Sequence, residues 1–305
     1  MQEKVKNLVT TIVSQDSRLA VVVGILDQGK TDFFCYGHPF EKSENVATPD
    51  TIFEIASASK VFTITLLALL IKDSLVSLDE PICNLFPEIQ YSLRKITLLE
   101  LATHSSGLPT MPSNVLSHFL RNPRNPDATY IYAELFRSLK SFKVRSSMPV
   151  QYNYSNVGYA LLGYLLAKCS NQTYETVLQD KVCHPLRLKD TTFHLTSEQR
   201  QRLATGFSSP GRLASNWEMG ALEGAGGLLS CAHDLARFLQ AHLGVIEELS
   251  EQVRTLCHQT RARISPNSQI ALGWMVDELD NGSARIYWKD GASTGYRSFL
   301  DFSKE

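Results

Sequence analysis

Strand signals sit at both ends of this chain and helical signals fill the middle, and that order leaves few ways to fold it. Residues 3–15 place Val5, Leu8, Val9, Ile12 and Val13 on one side of a helix. Leu19–Leu26 and Thr31–Tyr36 read as strands, with Asp27-Gln28-Gly29-Lys30 as the turn of a hairpin. From about residue 56 to about 245 the periodicity is mainly helical. The connecting loops are rich in Pro, Asn and Ser, and Met111–Asp127, with Pro112, Pro123 and Pro126, is the most irregular of them. Strand signals return in Ala271–Glu278 and Arg285–Trp288, which flank the hairpin cue Asn281-Gly282, and again in Tyr296–Phe302. The simplest architecture is α+β. One antiparallel sheet is built from both chain ends and flanked by helices, and a large, mainly helical insertion packs beside it. In residues, 1–55 and 246–305 form the sheet domain, 56–245 the helical one, and a site belongs in the cleft between them.

Composition narrows the function. The 305 residues are 43% hydrophobic and 20% charged, as in an ordinary globular protein. That excludes a disordered chain, a collagen-like fibre and a small disulfide scaffold. A formal net charge of -1 gives no bulk positive field, so nucleic acid is not an expected partner. The apolar run Val61–Ile71 is interrupted by Thr63 and Thr65 and falls short of the ~20 residues of a bilayer span. It reads as a buried helix, and no membrane span is expected. The mixed-charge start, Met1-Gln-Glu-Lys-Val-Lys, lacks a secretory leader. A leader removed earlier would leave the same sequence, so the compartment stays open, as does the oligomeric state. None of the six cysteines forms a CxxC pair, and most sit among apolar neighbours as free buried thiols. Eight histidines without HExxH or paired ligand spacing give no metal site, and no cofactor is implied.

Three short motifs can carry chemistry. Ser57-Ala58-Ser59-Lys60 directly precedes the apolar helix, and residues three apart on a helix share a face. Ser57 and Lys60 therefore lie side by side at a helix N-terminus. A serine hydroxyl needs a base, and burial lowers a lysine pKa toward the range where an amine can serve. The plainer reading is an N-cap serine followed by a surface lysine. Tyr154-Ser155-Asn156 precedes a second apolar helix, Val157–Leu166. Tyr154 can act as a phenolate or a proton relay and Asn156 can hold a carbonyl or amide; the plainer reading is a core tyrosine beside a helix cap. Lys289-Asp290-Gly291-Ala292 follows the strand Arg285–Trp288. Lys289 brings positive charge, Gly291 permits close backbone approach, and the Ala292 N–H can face an oxyanion. An ordinary strand end would look the same.

Their order, SxxK then YxN then KxG, resembles the penicillin-recognising serine hydrolases, and the YxN form is similar to class C β-lactamases with related D-alanyl-D-alanine carboxypeptidases and esterases. The likeness extends to Leu78-Asp79-Glu80-Pro81, Leu85-Phe86-Pro87-Glu88, Ile96–Pro109 (ITLLELATHSSGLP), Pro185–Thr191 (PLRLKDT), Gly226–Ser230 and Asp234–Phe238. It spans roughly residues 15–303. The resemblance implies an α/β sandwich-like β-lactamase/transpeptidase fold with Ser57 as acylated nucleophile. Lys60 and Tyr154 would share the base and proton-relay work, Asn156 would position the substrate amide, and Lys289 would add charge near Tyr154. The N–H groups of Ser57 and Ala292 would form the oxyanion hole. The substrate would be a small molecule or peptide: a β-lactam, a D-amino-acid peptide or a small ester.

Gly291-Ala292-Ser293-Thr294-Gly295 also fits the GxSxG nucleophile elbow. That fold needs a histidine after the serine, and none follows. His104 is expected to brace a loop and His233 to lie on a helix surface. Asp290 departs from the family pattern, which has Thr or Ser here. A carboxylate at this position repels a substrate carboxylate or offsets Lys289, and suits a neutral ester or amide or a substrate with a free amine. Family members also continue with another strand and a C-terminal helix. Ending at Glu305 leaves a sheet edge for the N-terminal helix, a partner chain or further residues to cover. A rival reading keeps the fold without turnover, as a penicillin-binding or regulatory module. The complete set of Ser57, Lys60 and Tyr154 weighs against it.

Overall fold

The computed structural model describes residues 2–16, 18–40, 45–115, 129–140, 142, 152–208, 211–279 and 284–304. Its longer helices are α1 (Gln2–Gln15), α2 (Ser59–Lys72), α3 (Tyr132–Leu139), α4 (Asn156–Cys169), α5 (Ala232–Leu243) and α6 (Glu251–His258). The strands needed below are β1 (Val21–Asp27), β2 (Lys30–Tyr36), β3 (Ile52–Glu54), β4 (Leu229–Cys231), β5 (Ala262–Arg263), β6 (Ser268–Ile270), β7 (Met275–Leu279), β8 (Ala284–Ala292) and β9 (Arg297–Lys304).

The α+β class holds. Strands β5 to β9 form one antiparallel sheet in the order β9-β8-β7-β6-β5. Its central ladders set Asp290 opposite Phe299 and Trp288 opposite both Asp301 and Met275. Asn281-Gly282 lies outside the described residues, but the flanking strands pair, Ala284 with Leu279. At the other end β1 and β2 close on a two-residue turn in which Gln28 and Gly29 have φ of 47° and 79°. Positive φ at both central residues matches the right-handed twist of a hairpin.

One detail differs from expectation. The hairpin pairs only with itself, and among the described residues no ladder joins it to the five-stranded sheet. Strands of both chain ends instead pack on α5. Alternating polarity marks a segment as a strand without naming its partner. The helical stretch also contains a strand the periodicity does not show. Three-residue β4 pairs with β3, Glu54 opposite Leu229, just ahead of Ser57. Of the irregular run Met111–Asp127, residues 116–127 lie outside the described part.

Helix α2 is apolar all round and is the centre of the core. Val61, Phe62, Ile64, Leu66, Leu67, Ala68 and Leu70 are all fully buried. Its two threonines are satisfied there. Thr63 Oγ1 bonds Tyr174 Oη (2.6 Å) and donates to the Gly224 carbonyl, while Thr65 donates to the Val61 carbonyl. Helix α4 packs against α2 and against the turn Gly220–Ala225. The approach is close because Gly163 and Gly224, which face each other there, lack side chains: a Cβ on Gly224 would meet the Tyr159 carbonyl oxygen at 2.4 Å.

Candidate active site

The nucleophile candidate sits in a single turn, Ala56–Ala58, between β3 and α2. Ala56 has φ of 45°, a left-handed conformation that costs a residue with a Cβ about 1–2 kcal/mol. Ser59 holds that turn. Its hydroxyl donates to the Ala56 carbonyl (2.6 Å) and accepts from the Leu228 N–H. On the other side Ser298 Oγ donates to the Ile55 carbonyl (2.7 Å), and Gly291 lies flat against the same backbone. A Cβ at Gly291 would stand 2.1 Å from the Ile55 oxygen and 3.0 Å from the Ala58 nitrogen. Strand β8 is thereby held against the turn, with Ser57 and Ala292 facing the same cavities.

Lys60 is wholly buried. Its Nζ donates to the Ala225 carbonyl (2.6 Å) and to Asn156 Oδ1 (2.8 Å), and lies 3.2 Å from Ser57 Oγ. Burial, reinforced by the charge of Lys289, holds its pKa well below that of a solvated lysine; the Asp290 carboxylate pulls the other way. From the opposite side Tyr154 Oη donates to Ser57 Oγ at 2.8 Å. Burial pushes this phenol up to about 12, the bond to Ser57 lowers it, and Asp290 raises it further. Lysine is thus driven toward its neutral form and tyrosine kept protonated. Of the two roles open to Tyr154, phenolate or relay, this environment favours the relay.

A short loop fixes the tyrosine. Ser155 caps α4, accepting from the Gly158 N–H, while its hydroxyl donates to the Pro109 carbonyl (2.7 Å). Thr110 Oγ1 donates to the Tyr154 carbonyl, and Asn153 donates through its backbone N–H to the His104 carbonyl. The His104 ring accepts at Nδ1 from the Ser155 N–H (3.0 Å) and lies 4.6 Å from the Tyr154 ring. Burial, and then the charges of Lys60 and Lys289, hold this imidazole neutral. His104 therefore braces the loop. His233, on α5, is exposed and bonds Asp50 (3.1 Å).

Lys289 is nearly buried, its Nζ 5.4 Å from the centre of the Tyr154 ring and 3.0 Å from Asp290 Oδ1. Burial lowers its pKa and Asp290 opposes that shift. The Asp290 carboxylate is itself largely open. Two cavities meet at Ser57. One is mainly apolar, lined by Met111, Asn156, Trp217, Met219 and Leu222 and reaching Glu54. The other holds Tyr152, Tyr154, Trp288, Lys289 and Asp290. Glu54 is buried, which raises its pKa; Ser293, the Trp217 N–H and Asn216 stabilise its charge. Ser293, the centre of GxSxG, thus lies beside the Glu54 carboxylate.

All eight residues singled out from the sequence take part in this region. Ala225, Glu54, Tyr152 and Trp288 are additional. Tyr152 has a visible signal, lying two residues before Tyr154 in an extended segment. A backbone carbonyl such as that of Ala225 has none. Away from the site, Asp50, Asp190 and Cys231 each place one ligand atom within 4.8 Å of the others, but both arms of Arg202 already hold Asp190 (2.7 and 2.8 Å). All six cysteines are free, and no helix among the described residues is long and apolar enough to cross a membrane.

Known proteins resemble this chain over most of its length. A family profile described as Beta-lactamase matches residues 5–304. A beta-lactamase of Escherichia coli (strain K12) is 26% identical over 99% of this chain and 85% of its own. The D-alanyl-D-alanine-carboxypeptidase/endopeptidase AmpH of that strain is 25% identical over 90% of this chain and 74% of its own. Among solved structures, a beta-lactamase/D-alanine carboxypeptidase from Pseudomonas syringae has a TM-score of 0.85 at 20% identity, covering 98% of this chain and 89% of that one. At that identity the likeness speaks for the fold.

Proposed function

Because the chain belongs to the beta-lactamase family, we propose that it is a serine hydrolase that works through an acyl-enzyme on Ser57. The observation that carries this reading is the position of Ser57 Oγ, within reach of Lys60 Nζ (3.2 Å) and Tyr154 Oη (2.8 Å) together. As a neutral amine, Lys60 gives its two N–H groups to Asn156 and Ala225 and turns its lone pair to Ser57. It takes the hydroxyl proton as Oγ bonds to the substrate carbonyl carbon. The N–H groups of Ser57 and Ala292 face the oxygen that becomes charged. When the tetrahedral adduct collapses, Tyr154 gives its proton to the departing atom, and the proton on Lys60 replaces it. Water then attacks the ester through the same groups in reverse, and Ser57 regains its proton.

The site draws Ser57, Lys60, Tyr154 and Asn156 from residues 56–245 and Lys289 to Ala292 from the C-terminal strands. This fits the division into a sheet domain (1–55 and 246–305) and a helical one with the site between. The substrate class is a β-lactam, a D-amino-acid peptide or a small ester, all of which begin with the same acylation. Mass spectrometry after incubation with fluorescent penicillin and with p-nitrophenyl butyrate tests the reading. An adduct on Ser57, or turnover that vanishes in Ser57→Ala, is expected. No adduct and no turnover with any acylating probe, or an adduct unchanged in Ser57→Ala, would leave the non-catalytic module standing.

A further inference from the structure

The proton for the departing atom comes from Tyr154, so the leaving group lies in the cavity that Tyr154 lines. Three features of that cavity concern charge. Asp290 places a largely exposed carboxylate at its mouth. Lys289, the cation beside it, gives one N–H of its ammonium to Asp290 Oδ1 at 3.0 Å, and the carboxylate offsets part of the charge it presents to a substrate carboxylate. Trp288, two residues from Asp290 and so on the same face of β8, presents an aromatic surface, as does Tyr152. The rings are held in place. Trp288 Nε1 donates to Asp277 Oδ2 (2.7 Å) and the indole stacks on Phe299, while Tyr152 stands edge-on to His104. A carboxylate flanked by fixed aromatic rings is a receptor for an ammonium group, which gains both from the opposite charge and from the ring quadrupoles.

We propose that this cavity selects acyl compounds whose leaving group carries an ammonium, held between Asp290 and the rings of Trp288 and Tyr152, and that it disfavours leaving groups bearing a carboxylate. The inference rests on the serine hydrolase reading and names the substrate class of that site. Selectivity comes from a charge this chain has where a neutral hydroxyl would leave Lys289 free.

The test uses three thioesters that share an acetyl group: acetylthiocholine, its uncharged isostere S-(3,3-dimethylbutyl) thioacetate, and S-acetyl-3-mercaptopropionate. Each kcat/KM is divided by that compound's rate of hydrolysis by hydroxide, which removes differences in thiol acidity. In the wild type the cation is expected to lead the isostere roughly 5- to 20-fold and the anion to trail both. Asp290→Asn should bring cation and isostere within about twofold, and Trp288→Leu should reduce the preference with the carboxylate still present. Equal normalised rates in the wild type, or a preference that survives Asp290→Asn, would overturn the proposal. Binding is read separately, by calorimetric titration of choline and 3,3-dimethylbutan-1-ol into wild type and Asp290→Asn. If no thioester is hydrolysed and neither fluorescent penicillin nor p-nitrophenyl butyrate acylates Ser57, the hydrolase reading has failed. Tighter binding of choline, lost in Asp290→Asn, would then still uphold the cation site, and equal binding would refute it.

Discussion

Lys60 has three oxygen neighbours and, as a neutral amine, two N–H groups to share among them. Ala225 and Asn156 are the nearer two, at 2.6 and 2.8 Å, so the lone pair is left for Ser57. Acylation of a neutral ester should therefore rise with pH as Lys60 loses its proton and level off well below the pKa of a solvated lysine. The Asp290 charge raises the Lys60 pKa, so Asp290→Asn should move that rising limb to lower pH. A pH profile of kcat/KM that is flat in the wild type, or a limb that moves upward in the variant, would contradict the assignment. Tyr154→Phe keeps the ring and removes the relay, and kcat should fall about 10²- to 10⁴-fold. The SxxK pair was readable because helical spacing alone puts Ser57 beside Lys60. The choice between phenolate and phenol at Tyr154 was not, since it depends on burial and on the sign of the charge at residue 290. Trp288 was equally hidden, because an indole on a strand is as consistent with a core as with a cavity wall.

At the level of elements, the site depends on three backbones meeting closely: the turn before α2, the start of α4 and the end of β8. Apolar periodicity made α2, α4 and β8 legible. The pairing of β3 with β4 was not, since three residues carry no alternation. Gly291 tests the contact between turn and strand. In Gly291→Ala the new methyl would meet the Ile55 carbonyl oxygen, a backbone atom with no side-chain freedom to give way, so either the turn or β8 must move. Acyl-adduct formation should fall about 10²-fold or more while the circular dichroism spectrum stays native. An unchanged rate would mean that the turn tolerates the shift. Ser155 tests the start of α4. In Ser155→Ala one hydroxyl loss removes the cap and the tie to Pro109, costing about 1 kcal/mol, or about 2–4 °C in melting temperature. Because Tyr154 precedes the cap, kcat should drop further than that small destabilisation accounts for, and Ser155→Thr should restore both. Loss of thermal stability with kcat intact would show the cap to be structural only.

Across the whole molecule, a chain of side chains, half-buried at Lys304 and buried beyond it, joins the sheet to the nucleophile helix. Lys304 Nζ on β9 meets His258 Nδ1 on α6 (2.7 Å), His258 Nε2 meets His242 Nδ1 on α5 (3.0 Å), and His242 Nε2 meets Thr65 Oγ1 on α2 (3.0 Å). A protonated Lys304 can only donate, and this sets the direction of every bond: each imidazole accepts at Nδ1 and donates at Nε2, and Thr65 donates to the Val61 carbonyl. No sequence pattern announces this chain, for its members come from four elements whose packing creates it. The two rings have no room for a second proton. Burial first, then Lys304 and Arg254, lower His242 to about 3; burial, His242, Lys304 and Arg254 lower His258 to about 2. In the unfolded chain both titrate near 6.5. Between that value and about 3 the unfolded state binds more protons than the folded one, so stability falls as pH falls through this window. At pH 4.5 the two rings together should cost on the order of 3–5 kcal/mol relative to pH 7. Glu223, raised to about 7 by burial, acts in the opposite direction and offsets part of this. The melting temperature should therefore drop steeply from pH 6 to 4. In His258→Gln, which keeps a hydrogen-bonding side chain but cannot gain a proton, the slope should be shallower than in the wild type even if the variant melts lower at pH 7. Parallel melting curves for wild type and variant across that range would show that acid enters the fold elsewhere.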